Sequence, residues 1–127
     1  MQKLPEDIDE QAIPLYIEMN RFPGIRTICS CCGHDKDTFC IWFIVEDLED
    51  LPALLYCFDG CHTGIYGWKV IVITDCALGP VKFLAESSTV GKKAYEEAEV
   101  IAKYMREFLN EEVRRNENQQ GKIYDVH

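Results

Sequence analysis

The chain has 127 residues, 47% of them hydrophobic, and a formal net charge of −9. That size suits one domain burying its own core, and the acidic balance excludes general nucleic-acid binding, which relies on Lys and Arg to displace counterions from phosphates. No apolar run approaches the roughly eighteen consecutive residues of a membrane span, and the start "MQKLPEDIDEQ" lacks the pattern of an export signal. The expectation is a soluble, cytoplasmic protein whose seven cysteines, an odd number, are free thiols. The acidic segments "PEDIDE" and "VEDLED" read as solvated surface.

In chain order, residues 12–20 predict a short helix with Pro14 in its first turn. Residues 25–31 predict a strand, Gly33 a turn, and 38–46, "TFCIWFIVE", a second strand completing a hairpin. The spacing of Leu48, Leu51, Leu54, Leu55 and Phe58 predicts a helix over 47–58. A loop, "DGCHTGIYG", leads into a third strand from Trp68 to Asp75, and "CALGP" turns into a fourth over 81–86. From Lys92 to Arg114, Tyr95, Ala98, Ile101, Ala102, Met105, Phe108 and Leu109 mark the longest amphipathic helix. Residues 1–115 are thus one α+β domain, and 116–127 a polar, mobile tail containing His127.

This order uses one ββα unit twice and predicts a four-stranded, mainly antiparallel sheet with two helices on one face. Cys40, Trp42 and Ile44 share one face of their strand while Ile41, Phe43 and Val45 share the other. Both faces are apolar, so the second needs cover, from the amino-terminal helix or from another copy in a homodimer.

The chemistry concentrates in "TICSCCGH", with three cysteines and a histidine between Cys29 and His34. Four readings stand. Cys29, Cys32 and His34 could hold zinc together with Cys57, Cys61 and His62 from a second cluster. Cys29, Cys40, Cys57 and Cys76 could instead be small core residues. A nucleophilic thiolate, Cys32 with His34 or Cys61 with His62, ranks below these because sequence neighbours seldom point at each other.

The preferred reading is a binding turn, with Gly33 opening the backbone and Ser30, Cys32, His34 and Lys36 forming a polar rim. His62 and Tyr66 from the glycine-rich loop would face it, and Ser87, Ser88, Thr89, Lys92 and Lys93 would contribute an anion-friendly helix start. That last segment is not a phosphate loop, since Glu86 and Lys93 stand where Gly and Ser or Thr are required.

The pattern "NRFPGIRTICSCCGH", followed by "FCIWF" and "GWKVIVITDC", resembles a group of small proteins encoded by phages and prophages of Gram-positive bacteria. The resemblance spans roughly residues 14–109. It implies a phage setting and carries no reaction with it. A looser likeness is to the tRNA wybutosine-synthesising methyltransferase subunit, whose T-x-S-S-C-S-G-R is met by Thr27, Ser30 and Gly33 but has arginine where His34 stands, so methyl transfer does not carry over.

The leading expectation is therefore a non-enzymatic phage protein that sequesters a small polar, nucleotide-like ligand in counter-defence. The alternatives are a protein-interaction module inhibiting a host enzyme and a zinc-stabilised domain. An enzyme ranks last, with no catalytic residues assigned, and no cofactor other than zinc is implied.

Overall fold

The computed structural model describes residues 9–31, 33–73 and 81–125, with side chains through Glu117. Cys32, Cys76, the turn 76–80 and His127 lie outside the described residues.

The order is α1 (Ile13–Met19), β1 (Ile25–Cys31), β2 (Thr38–Val45), α2 (Leu51–Phe58), α3 (Gly60–Thr63), β3 (Lys69–Ile73), β4 (Val81–Val90) and α4 (Gly91–Asp125). Short 3-10 turns at Glu10–Ala12 and Leu48–Asp50 lead into α1 and α2. The fold is α+β, with one antiparallel sheet of strand order β1-β2-β4-β3. No helix among the described residues is long and apolar enough to cross a membrane.

The residues that alternate inward along β2, Phe39, Ile41, Phe43 and Val45, are buried with Phe83 and Ala85 of β4 under Ala94, Ala98, Ile101 and Met105 of α4. Phe43 and Phe83 stack with ring centres 5.5 Å apart, and Trp68 closes the core against Phe39 and Phe58. The amphipathic stripe of α4 explains this packing, because only one face of that helix is apolar.

The expected cover of the second face by the amino-terminal helix needs correction. α1 packs against α4 and β1, on the face α4 already covers. Its buried Glu18 accepts hydrogen bonds from Arg21 at 2.8 Å and from Arg106 of α4 at 3.1 Å. A buried carboxylate stays charged only when paired, so Glu18 ties α1 to the α4 side of the sheet. Among the described residues the other face carries no helix.

Two boundaries also move. β4 runs to Val90, four residues past the expected end, and α4 starts at Gly91. The register between β2 and β4 shifts between Thr38 and Cys40, and the Phe39 amide there donates to the Ser87 hydroxyl at 2.9 Å. That hydroxyl in turn donates to the Thr89 carbonyl at 2.7 Å. Ser87 thus supplies a ladder bond that the bulge removes, and polar residues continue the strand. At the far end, α4 remains helical through Asp125, past Arg114 where the apolar spacing stops, with Glu111–Arg114 and Glu112–Arg115 pairs on its surface.

Candidate metal and thiol site at the turn end of the sheet

The uncovered face is graded along its length. At the turn end, one rung crosses all four strands as Cys31, Cys40, Glu86 and Lys69. The next is Cys29, Trp42, Leu84 and Ile71, and the far rung is Arg26, Ile44, Lys82 and Ile73. A bulge at Ile28 shifts the β1 register between Thr27 and Cys29, so Cys29 and Cys31 both fall on this face. Cys29 and Cys40 are therefore surface-facing thiols and not core residues; among the described cysteines Cys57 is the fully buried one, with burial pushing its thiol up to about 12.

Glu86 organises the polar rung. Its carboxylate accepts from the Thr38 hydroxyl at 2.6 Å and from the Cys40 thiol at 3.6 Å, and pairs with Lys69 at 3.3 Å. The Thr38 hydrogen bond, followed by the Lys69 interactions, holds its carboxyl below the usual range. Burial raises the Cys40 thiol, and the neighbouring Glu86 charge adds to that.

The turn that follows β1 is tight. Gly33 has φ +84°, its carbonyl accepts the amides of Lys36 and Asp37 at 3.0 Å, and a Cβ there would overlap the Asp37 carbonyl. His34 and Asp35 also have positive φ, at 48° and 67°, which non-glycine residues seldom adopt. Asp35 is held there by Tyr95 of α4, whose hydroxyl donates to its carboxylate at 2.8 Å and accepts its amide at 3.1 Å. Strain of this kind persists where the surroundings enforce it, commonly at functional sites.

The enforced turn brings His34 beside Cys31 and Asp9. Their ligand atoms, one from each side chain, all lie within 4.8 Å of one another. A tetrahedral zinc with bonds of about 2.0–2.3 Å needs ligand atoms about 3.3–3.8 Å apart, so the three would close on an ion by at most roughly 1 Å each. One thiolate, one imidazole and one carboxylate form a donor set suited to zinc, and three protein ligands leave a fourth position open.

The expected site residues divide among five places. His34, with Lys36 in the same exposed turn, stands at the cluster, and Cys31 and Asp9 join it in place of the expected Cys57, Cys61 and His62. Cys29 lies one rung away. Ser30 points under the sheet opposite Ile41; its buried hydroxyl, like that of Thr27, has no hydrogen-bond partner among the described residues. Strand alternation, which brings Cys31 to the open face, sends Ser30 away from it.

Ser88, Thr89, Lys92 and Lys93 do reach the turn end, where α4 begins beside Asp35, but their hydroxyls serve the fold. Thr89 donates to Glu97 at 2.6 Å, and Ser88 lies over Gly67. Asp35, close to Gly91, supplies the negative charge that the helix start favours.

His62 and Tyr66 belong to a different region. His62 stacks on Tyr56 at 3.7 Å and faces Asp59 at 3.6 Å, and the Tyr66 ring lies over Gly60. Tyr56, Tyr104 and Phe108 line a groove of about 460 Å³ edged by Glu107, Glu111, Glu112 and Arg115. Desolvation and the Tyr56 hydrogen bond push the Tyr104 hydroxyl up to about 12.

No protein-family model, curated protein or solved structure matches the chain.

Proposed function

We propose that the chain is a metal-dependent binding protein: Asp9, Cys31 and His34 hold a zinc-class divalent ion, and the ion's open position takes a donor atom from a small polar ligand. The observation that carries this reading is the convergence of three different ligand types within 4.8 Å beside a backbone forced into positive φ. Zinc with one thiolate, one carboxylate and a neutral imidazole has no net charge, so an anionic donor is not repelled by the site itself. That relieves the conflict between an anionic, nucleotide-like ligand and a chain of net charge −9. Lys36, Lys92 and Lys93, exposed at the same end, offset the carboxylates of Asp35 and Asp37 beside them. We read the fold as two ββα passes whose strand ends meet at this corner, and the counter-defence role follows from the phage resemblance.

Native mass spectrometry of the protein from a bacterial lysate tests this. One zinc per chain, with a small molecule retained only while zinc is present, supports the reading. A His34→Ala variant that is folded and keeps both would refute it.

A second reading rests on the uncovered face. Trp42, Ile44, Leu84 and Ile71 form an apolar centre between the polar rung and the Arg26 and Lys82 end, and a second copy of the chain across a two-fold axis would cover it, as expected from the sequence. Light scattering showing one 14.6 kDa chain per particle at high micromolar concentration would remove it.

A further inference from the structure

We propose that Cys31 and Cys40 are a redox pair, which a hydroperoxide joins as a cross-strand disulfide, and that closing this bond dismantles the Asp9–Cys31–His34 metal site by taking its sulfur. The second half rests on the metal reading above; the first does not.

Cys31 and Cys40 are direct partners in the β1–β2 register, so their side chains leave the sheet on the same face. Directly opposed residues in an antiparallel pair have Cα atoms about 4.5 or 5.5 Å apart, and both values lie inside the roughly 4.4–6.8 Å range of disulfides. Diagonal neighbours stand about 7–8 Å apart, which excludes Cys29 as a partner for Cys40 without backbone movement. Cys57 is buried in the core and Cys61 lies on α3. Neither competes for this pair. Both sulfurs of the pair are half-buried on a face that no helix among the described residues covers, so a small oxidant can reach them.

The step balances without a further reactant. The Cys31 sulfur, on the edge strand, attacks one peroxide oxygen; the O–O bond breaks, leaving a sulfenic acid and the alkoxide or hydroxide, which takes up the proton that the Cys31 thiol gives up. The Cys40 sulfur then attacks Cys31, forming the S–S bond and expelling the sulfenic oxygen as water. Its proton leaves toward the Glu86 carboxylate, to which the Cys40 thiol already donates at 3.6 Å, and is passed on to the departing hydroxide, which leaves as that water. Two thiols are oxidised, and the hydroperoxide is reduced by two electrons. For hydrogen peroxide both oxygens end as water.

The consequence follows from shared use of one atom. Zinc binds thiolate, and a disulfide sulfur has lost the charge and the lone-pair strength that made it a ligand. Asp9 and His34 remain, and two ligands hold the ion far more weakly than three.

The test treats the zinc-loaded full-length protein with hydrogen peroxide and follows two readouts. Non-reducing peptide mapping should show Cys31 and Cys40 linked with the loss of two hydrogens, and a zinc indicator should report release of the bound ion, both reversed by a thiol reductant. Cys40→Ser, checked for folding by circular dichroism, should retain zinc affinity but form no link, so that under excess oxidant its Cys31 passes from sulfenic to sulfinic acid and the reductant no longer restores zinc binding. A link joining any other cysteines, or none, overturns the redox pair. Linked peptide with zinc still bound, or a reductant restoring zinc binding to oxidised Cys40→Ser as fully as to the parent, overturns the coupling. In a protein that binds no zinc the peptide map still decides the pair, so a failure of the metal reading is told apart from a failure of the thiol chemistry.

Discussion

Phe39, Ile41, Phe43 and Val45 alternate along β2 with Cys40, Trp42 and Ile44, and the two sets meet different surroundings. The first set is sealed under α4 with Phe83 and Ala85, and its members are at most 3% exposed. Cys40, Trp42 and Ile44 lie on the face that no helix among the described residues covers, with thiols, a carboxylate and a lysine gathered at one end. Hydrophobicity along the strand is nearly equal on the two sides. What separates them is where the helices pack, and the face left open is the one that holds Cys29, Cys31, Cys40 and Glu86.

The largest effect should come from the sealed side. Phe43→Ala empties a fully buried aromatic site and should cost about 3–5 kcal/mol in denaturant unfolding, whereas Trp42→Ala on the open side should cost roughly half of that or less. Equal losses would mean that the open face is buried in solution, as another copy of the chain would bury it. At the turn, Gly33→Val forces a β-branched residue to φ +84° against the Asp37 carbonyl and should cost on the order of 1–3 kcal/mol in backbone strain alone, with loss of the His34 position. A variant as stable as the parent would show that the turn is not enforced.

Thiol reactivity sharpens the comparison at smaller scale. In the native protein Cys57 should resist iodoacetamide, since burial removes access and holds its thiol at about 12, while Cys29 and Cys61 at the surface should alkylate. Modification of Cys57 at the rate of Cys61 would contradict the placement of α2.

The smallest expected effect is on pH dependence. The Glu86 carboxyl lies below its ordinary 4.5 because the ionised form accepts the Thr38 hydroxyl and pairs with Lys69. Its folded-state value is thus lower than its unfolded one, so its contribution is present above about pH 4.5 and is lost as pH falls through the folded value. The melting temperature should therefore drop less steeply on acidification in Glu86→Gln than in the parent. Parallel curves would show that Glu86 contributes nothing to that limb.

Much of the fold was legible because it is local. Period-two alternation marks β1 and β2 to within a residue, and the stripe from Tyr95 to Leu109 marks α4. The position of α1 was not, because it depends on Glu18 meeting Arg106, a contact 88 residues apart in sequence. The strand extension through Ser87, Ser88 and Thr89 read as a helix start because hydroxyls favour caps, and only pairing with a bulged β2 reveals their use. In the site, "CCGH" pointed to His34 and to the turn. Strand alternation, once a bulge at Ile28 is included, separates Cys31 from Ser30. Asp9 carried no local signal: it lies in a segment that reads as solvated charge, and only the return of β1 past the start of α1 brings it to Cys31 and His34.

Cobalt(II) titration tests the central claim most directly, because cobalt occupies zinc-type sites and reports its ligands by absorption. The parent should bind one equivalent with a thiolate charge-transfer band in the near ultraviolet and visible bands of a four-coordinate ion; Cys31→Ser should lose the charge-transfer band, His34→Ala and Asp9→Ala should weaken binding by about 10–100-fold, and Cys57→Ser should change nothing. An unaltered spectrum in Cys31→Ser, or no thiolate band in the parent, would contradict a metal site at the turn end of the sheet.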